Sequence, residues 1–408
     1  MDKMRIVFRH LIRLTDDTGL LEHAAYLVPR RKEGYTTDDN ARALWLVSAW
    51  SDVLPESPLA ARLSALSDTY LAFLAWAQEE DGHFHNDFLY TREKEARPPS
   101  DDTQGRALYA LAYAARRLPR RWQRAHAEDL FRRGLTVLPK LSASRGLAYA
   151  LAAAAERLED HLTRDARTED PIRGHAHGRA PERADEQEKD RERDVLQAFL
   201  RRGTDILVER FHSASDGRWR WFEPTLTYAN AVIPWGLMKA ARALGDRKVQ
   251  RVAKEALDFL LGMTFYGRSP IIRPVGNRGW GDRRKIAEWD AQPLDVFKLA
   301  LAAYEAGLLM NDRRYFDVVR AAHGWFYGQN ALGVMMVDVE EGAAYDGLTP
   351  DGPNENAGAE ALLSFLHTER IVYQTALRMS RVPHEEWMIR ADGETLVIER
   401  RAAARAVQ

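Results

Sequence analysis

The feature that most constrains the fold of this 408-residue chain is a polar cluster that recurs six times, each time before a helical pattern rich in small apolar residues. Ser, Thr, Asp and Asn side chains cap helix N-termini, so each cluster predicts the start of a helix. About one further helical pattern separates consecutive clusters, which indicates a series of helical hairpins. The clusters lie at residues 36–40, 100–104, 142–145, 223–228, 288–292 and 354–356.

Six hairpins that close into a ring would bring all six clusters to one mouth. The patterns that follow the clusters, typified by residues 107–115, are apolar on nearly every side and are therefore predicted to be buried. Their partners, such as residues 122–140, carry one apolar stripe and one charged face, as an outer ring requires. The prediction is an all-α fold, a single-domain (α/α)6 toroid over residues 1–408. Short β-hairpin pieces are expected in its loops, around residues 219–222, 335–339 and 395–399.

Twelve helices are predicted, and one charged segment interrupts the series of hairpins. Residues 160–193 are dense in Arg, Glu and Asp and contain almost no large apolar residue, so they are predicted to form a charged, flexible insertion. His175 and His177 within it lack the further ligands that a metal site needs, and no metal is predicted. The helices are expected at residues 3–15, 39–53, 60–78, 102–117, 122–140, 143–159, 192–211, 228–243, 246–263, 291–309, 312–329 and 356–380.

Composition excludes several classes of function. A formal net charge of −1 gives no reason to expect nucleic acid or an anionic membrane as partner. The chain has no cysteine, which excludes disulfides and thiol chemistry. No window approaches the ~20 apolar residues of a membrane span, and the first residues do not have the pattern of a signal peptide. No motif for a nucleotide, a metal or a nucleophilic serine is present, so a cytoplasmic protein without a cofactor is expected.

Carboxyl groups are abundant at the predicted inner-helix starts. A helix cap needs one acid, yet residues 38–39 and 101–102 are both Asp-Asp pairs, which leaves a second carboxyl group to face the mouth. Cleavage of a glycosidic bond needs two carboxyl groups, one as acid and one as base or nucleophile. Glu360, one turn inside the last inner helix, would suit a general acid if it were buried. The candidate catalytic residues are Asp39, Asp102, Glu223, Asp290 and Glu355.

Aromatic side chains accompany these carboxyl groups in the same loops. Sugars present C–H faces that stack on aromatic rings and hydroxyl groups that pair with polar side chains. A mouth lined by tryptophan and carboxylates therefore favours a carbohydrate ligand. The candidate substrate-binding residues are Tyr35, Asp38, Asn40, Arg42, His83, His85, Asp87, Asp101, Gln104, Trp219, Trp221, Tyr228, Asn230, Trp280, Trp289, Gln292, Asn354, Asn356 and Glu360.

Residues 35–43, 289–293 and 354–360 resemble the six-hairpin glycosidase superfamily, in particular its bacterial glycosidase-like members. The resemblance covers nearly all of the chain except residues 160–193. It implies the (α/α)6 barrel and an oligosaccharide or glycoside as substrate, but it brings no matched catalytic pair. The function expected is that of a glycoside hydrolase, inverting by analogy with the fold.

Three other functions remain open. A sugar epimerase or polysaccharide lyase on the same toroid would need paired histidines or a tyrosine, and His83 and His85 share one loop. A triterpene cyclase is suggested by the Gln…Gly…aromatic turn at residues 78–84 and the Asp-rich segment at 100–104, but charged loops and the lack of a membrane-docking face argue against it. A non-catalytic carbohydrate-binding protein is the third alternative.

Overall fold

The computed structural model describes residues 3–168, 180–265, 269–380 and 387–400. No helix in these ranges is both long and apolar enough to cross a membrane. The helices are α1 (Arg9–Leu14), α2 (Thr37–Ser51), α3 (Pro58–Ala77), α4 (Asp101–Arg117), α5 (Arg121–Gly134), α6 (Ser144–Thr168), α7 (Ala180–Ala214), α8 (Val232–Leu244), α9 (Arg247–Thr264), α10 (Pro293–Met310), α11 (Arg314–Phe326) and α12 (Ala359–Met379). The strands are β1 (Lys3–Val7), β2 (Ala24–Ala25), β3 (Val28–Pro29), β4 (Tyr35–Thr36), β5 (Asp87–Phe88), β6 (Val337–Asp338), β7 (Ala343–Ala344), β8 (Gly347–Thr349), β9 (Gly352–Asn354), β10 (Trp387–Asp392) and β11 (Thr395–Arg400).

Six helices form a closed inner ring. Helices α2, α4, α6, α8, α10 and α12 pack each against the next, and α12 packs against α2. Helices α3, α5, α7, α9 and α11 pack on the outside, each against the inner helix that precedes it in the chain, and the short α1 packs against α12. This arrangement confirms the all-α (α/α)6 toroid predicted from the polar clusters.

Small residues allow the inner helices to approach closely. A Cβ atom on Gly236 of α8 would lie 2.3 Å from the carbonyl oxygen of Ala148 in α6. A Cβ atom on Gly105 of α4 would similarly lie 2.5 Å from the carbonyl oxygen of Gly146. Both distances are well below van der Waals contact, so larger residues at these positions would push the helices apart. The small-residue pattern of the sequence is thus a packing requirement of the inner ring.

The N-terminal segment differs from its prediction. Residues 3–7, predicted as the first part of a helix, form β1, which pairs antiparallel with β11 beside β10. Met4 and Ile6 are buried while Lys3 and Arg5 are exposed, a period of two that belongs to a strand. The strand predicted at residues 395–399 is confirmed as β11. Residues 219–222, predicted as a hairpin piece, form an irregular loop instead.

Part of the charged region at residues 160–193 is helical, and its predicted flexibility stays a prediction. Helix α6 continues to Thr168 and α7 begins at Ala180, whereas residues 169–179, including His175 and His177, lie outside the described residues. Arg157 is fully buried and donates hydrogen bonds to Glu192 at 2.6 Å and to Asp160 at 2.9 Å. An ion pair between α6 and α7 therefore holds this part of the charged region to the barrel. Amino-acid composition alone does not show such a contact.

A cavity of about 200 Å³ lies at the C-terminal ends of the inner helices. We call it the opposite cavity, because the candidate site described below lies at the N-terminal ends. Its wall includes Glu156 of α6, which accepts hydrogen bonds from Arg117 of α4 at 2.5 Å and Lys239 of α8 at 3.0 Å. Arg242 of α8 pairs with Glu305 of α10. Although burial opposes ionisation, the charges of Lys239 and Arg117 hold the pKa of Glu156 well below its usual range. These ion pairs join four consecutive inner helices.

Candidate functional site

A cavity of about 280 Å³ opens at the N-terminal ends of α2, α10 and α12. We call it the acidic cavity because carboxyl groups dominate its wall. They come from the first turns of α2 and α12, from the loop before β2, from β5 and from the segment before β8. The carboxyl side chains are those of Glu22, Asp38, Asp39, Asp87, Asp346 and Glu360, and the polar or basic neighbours are His23, Thr36, Arg42, Asn86 and Gln292.

The start of α2 places one carboxyl group deep in the wall. The Thr36 hydroxyl caps the helix by accepting a hydrogen bond from the backbone N–H of Asp39 at 3.1 Å. Arg42, one turn later, donates to the Asp39 carboxylate at 2.7 Å and forms an ion pair with Glu360 of α12 at 3.0 Å. Burial raises the pKa of Asp39 to about 6, although the Arg42 charge opposes the rise. One guanidinium thus positions carboxyl groups from two inner helices.

Burial also affects the pKa of two further carboxyl groups in the cavity. Burial raises the pKa of Glu22 to about 8, and the nearby Asp39 and Asp87 carboxylates add to the effect. Burial likewise raises the pKa of Asp346 to about 6, although the backbone N–H of Gly358 donates to it at 2.7 Å. At neutral pH Glu22 can therefore donate a proton.

Arg106 of α4 connects the acidic cavity to a neighbouring polar cluster. It pairs with Asp38 in the cavity wall and lies 3.4 Å from Asp102. Asp102 also accepts a hydrogen bond of 2.7 Å from the hydroxyl group of Tyr228. Burial, with the Asp102 charge, raises the pKa of that hydroxyl to about 12. The mouth therefore extends from α2 across α4 towards the loop before α8.

Arg145 at the start of α6 organises the far side of this cluster. Its guanidinium donates to Glu223 at 3.1 Å and to the backbone carbonyl of Tyr228 at 2.6 Å. The guanidinium carbon also lies 4.6 Å from the centre of the Tyr228 ring, a cation–π contact. Glu223 and Tyr228 are consequently fixed beside the mouth, with Tyr228 partly exposed.

Polar groups without partners lie along the barrel axis. Among the described residues, Lys298 Nζ, Asp295 Oδ2 and the Tyr149 hydroxyl are buried and have no hydrogen-bond partner. Burial lowers the pKa of the Lys298 amine well below its ordinary value, with the Arg42 and Arg106 charges adding to it. Burial raises the pKa of Asp295 to about 7.

The structure brings part of the predicted site together. Asp38, Asp39, Arg42, Asp87, Gln292 and Glu360 line the acidic cavity, and Asp102, Glu223 and Tyr228 form the adjoining cluster. Glu360 does not have the burial expected of a general acid, because its side chain is 41% exposed and pairs with Arg42.

Several predicted sugar contacts are packing or capping residues instead. Trp219 and Trp221 are buried against Phe259 of α9, and the Trp219 indole N–H donates to a backbone carbonyl. Asp101 accepts hydrogen bonds of 2.7 Å from the backbone N–H groups of residues 142 and 143, so it caps the next inner helix rather than facing the mouth. The Tyr35 hydroxyl donates to Asp16 and its ring is buried. Sequence shows that these residues lie near helix starts but does not show which way they point.

The remaining predicted residues lie outside the cavity wall. Asn40, Gln104 and Asn230 are buried and bonded to backbone groups, and His83 pairs with Asp81 in an exposed turn. Burial raises the pKa of Asp290, whose Oδ1 has no partner among the described residues. His85 lies 3.1 Å from the carbonyl oxygen of Asp87, and Trp280 and Trp289 are half-buried. Asn354 ends β9, and Glu355 and Asn356 belong to the loop before α12.

Sequence reasoning missed Glu22, His23 and Asp346. All three lie in connecting segments rather than at the start of an inner helix, which is where candidates were sought. The backbone N–H of Glu22 donates to the carbonyl oxygen of Gly34, and Asp346 accepts from Gly358, so both are held against inner-helix starts by contacts that are distant in sequence.

Comparisons with known proteins place this geometry in a fold. No family model and no curated protein matches the sequence. Among solved structures, cellobiose 2-epimerase from Bacillus thermoamylovorans superimposes with a TM-score of 0.62 at 12% identity, covering 90% of this chain and 96% of that one. A D-mannose isomerase gives 0.61 at 11% identity, covering 91% and 95%. A family 76 glycoside hydrolase, an α-mannanase from Bacteroides thetaiotaomicron, gives 0.54 at 12% identity, covering 84% and 88%. At such low identity these matches establish the fold alone, which is the (α/α)6 toroid described above.

Proposed function

We propose that this protein is a carbohydrate-processing enzyme, and specifically a glycoside hydrolase that works in the acidic cavity. The observation that carries the proposal is the placement of Glu22 and Glu360, which come from separate segments of the chain, in one cavity wall. Glu22, with a pKa of about 8, keeps its proton at neutral pH, whereas Glu360 pairs with the permanently charged Arg42. General acid–base catalysis of hydrolysis requires such a pair.

The reaction follows from these two roles. The Glu22 carboxyl group donates its proton to the glycosidic oxygen as the bond from that oxygen to the anomeric carbon breaks. The Glu360 carboxylate takes a proton from water, and the water oxygen forms the new bond to the anomeric carbon. Asp39 and Asp38, held by Arg42 and Arg106, line the same wall and are suited to binding sugar hydroxyl groups. The enzyme then regains its starting state by exchanging one proton with solvent.

A sugar epimerase is the second candidate, because two of the structures similar in fold are described as a 2-epimerase and an isomerase. The residues favour it less. His23 is the histidine in the cavity wall among the described residues, whereas His83 and His85, the pair considered from the sequence, do not line it. A non-catalytic sugar-binding protein is favoured less, because it would not need six carboxyl groups in one cavity wall.

The test is a screen of the purified protein against neutral oligosaccharides and glycosides of mannose and glucose, following both released sugar and conversion between epimers. We expect hydrolysis, with Glu22→Gln and Glu360→Gln each lowering turnover by about 10²–10⁴-fold while the fold is retained. Glu288→Gln is the matched control, because Glu288 is exposed, pairs with Arg273 and lies outside the cavity. Release of no sugar, together with exchange of epimers that depends on His23, would replace the hydrolase with an epimerase.

A further inference from the structure

A tight turn at the edge of the acidic cavity holds a tyrosine in an unfavourable backbone conformation. Strands β2 and β3 form a hairpin with only Tyr26 and Leu27 between them. Tyr26 has a φ of +51°, in the left-handed region where two-residue hairpin turns favour glycine or asparagine. A side chain with a Cβ costs free energy in this conformation, so glycine would suit the turn better.

Most of the Tyr26 side chain is left uncovered by the fold. The residue is 66% exposed and is the most exposed large aromatic residue among those described. A bulky residue in a strained position that remains mostly exposed is unusual, and strained residues tend to occur at functional sites. An exposed aromatic ring is also the surface on which the C–H face of a sugar stacks.

Hydrogen bonds hold the backbone of this turn beside the acidic cavity. The backbone N–H of Tyr26 donates to Asn356 Oδ1 at 3.0 Å, and the backbone carbonyl of Tyr26 accepts from Ala357 at 3.0 Å. Gly358, the next residue after Ala357, lines the cavity, and so does His23 at the other end of the hairpin. The turn is therefore attached on both sides to segments that form the cavity wall.

We propose that Tyr26 is a stacking platform for a second sugar unit, the one that projects from the acidic cavity, so that the ligand is a neutral disaccharide or longer oligosaccharide rather than a free monosaccharide. This inference rests on the proposed function for the identity of the ligand. The six carboxyl groups of the cavity wall disfavour anionic sugars such as uronic acids.

The test is a binding measurement in the Glu22→Gln background, which separates binding from turnover. Mannobiose, cellobiose, mannose and glucose are titrated by calorimetry against Glu22→Gln and against double variants that add Tyr26→Gly or Tyr26→Phe. We expect a disaccharide to bind, Tyr26→Gly to weaken it by about tenfold or more, and Tyr26→Phe to retain it, with monosaccharide affinity unchanged throughout. Tyr26→Gly should also keep or raise the melting temperature, because glycine relieves the left-handed conformation.

The outcomes separate this inference from the proposed function. If the wild type hydrolyses nothing but disaccharide binding depends on Tyr26, the hydrolase fails and the platform stands. The platform is wrong if no disaccharide binds, if Tyr26→Gly leaves disaccharide affinity unchanged, or if it weakens mono- and disaccharides equally.

Discussion

The two ends of the toroid are built from the same six helices, yet their carboxyl groups are in opposite electrostatic states. In the acidic cavity, burial raises the pKa of Glu22 to about 8 and of Asp39 to about 6. In the opposite cavity, Glu156 is at least as buried, but Lys239 and Arg117 hold its pKa well below the usual range. Helix N-termini favour negative charge, so the helix dipole alone would predict the reverse.

The difference shows that the number of paired cations decides protonation here. Glu156 accepts hydrogen bonds from three cationic side chains, those of Arg116, Arg117 and Lys239. Within the described part of the chain, Glu22 forms no ion pair with Arg or Lys, and its partner is the His23 ring nitrogen at 3.5 Å. The more distant charge of Arg97 only partly offsets the rise in the Glu22 pKa. A carboxyl group that pairs with several cations, such as Glu156, stays ionised and contributes to the structure of the barrel. A buried carboxyl group without such pairs can hold a proton, which proton transfer requires.

The largest effect expected from this comparison is on stability at the opposite cavity. Glu156→Gln leaves Arg117 and Lys239 buried without their carboxylate, so the free energy of unfolding should fall by about 3–5 kcal/mol. Urea denaturation measures it. Glu255→Gln is the matched control, because Glu255 forms an exposed pair with Arg220 and its loss should cost about 1 kcal/mol or less. Equal losses in the two variants would show that the buried network adds nothing.

The second effect is a pH dependence from the acidic cavity. The pKa of Glu22 rises from 4.5 to about 8 on folding, so between these values the folded state binds more protons than the unfolded state. Stability conferred by the protonated carboxyl group is present below pH 4.5 and is lost as the pH rises towards 8. Glu22→Gln removes this loss, on the order of 1 kcal/mol after allowance for partial exposure. The melting temperatures of both proteins at pH 5 and pH 8.5 test it.

Two controls sharpen that measurement. Glu288→Gln, at an exposed site, should follow the pH dependence of the wild type. Asp39 and Asp346 also have raised pKa values, so Glu22→Gln should retain a smaller dependence in the same direction. A variant whose stability falls between pH 5 and 8.5 as steeply as that of the wild type would contradict the raised pKa of Glu22.

The smallest effect concerns the cap that positions Asp39. Thr36→Val removes the hydroxyl group that caps α2, and we expect a loss of about 1 kcal/mol in the free energy of unfolding together with lower turnover. Ser57→Ala removes the corresponding cap from the outer helix α3. It should cost a similar amount of stability but leave turnover unchanged, because α3 begins away from the cavity. If both variants lose turnover alike, the cap acts only through global stability.

Much of the fold was predictable because it depends on local patterns. Capping residues and small-residue helices predicted the inner ring, and the start of α2 at Thr37 agrees with its polar cluster. The polar cluster at the start of α2 also led to the prediction of Asp38, Asp39 and Arg42 as site residues, and all three line the cavity. Side-chain direction was not predictable. Asp101 accepts hydrogen bonds from the backbone just before α6, whereas the adjacent Asp102 accepts one from the Tyr228 hydroxyl group.

The sequence by itself determined the toroid and placed the six polar clusters at the N-terminal ends of the inner helices. It could do so because helical periodicity and capping depend on residues that are close together in the chain. Only the tertiary structure decided which carboxyl groups share the cavity. Glu22 and Asp346 are held in the cavity wall by hydrogen bonds with the backbone of Gly34 and Gly358. Arg42 pairs with both Asp39 and Glu360, although Glu360 lies 318 residues further along the chain than Arg42. Protonation depends on burial and on the balance of charges brought together by folding, and neither quantity exists in the unfolded sequence.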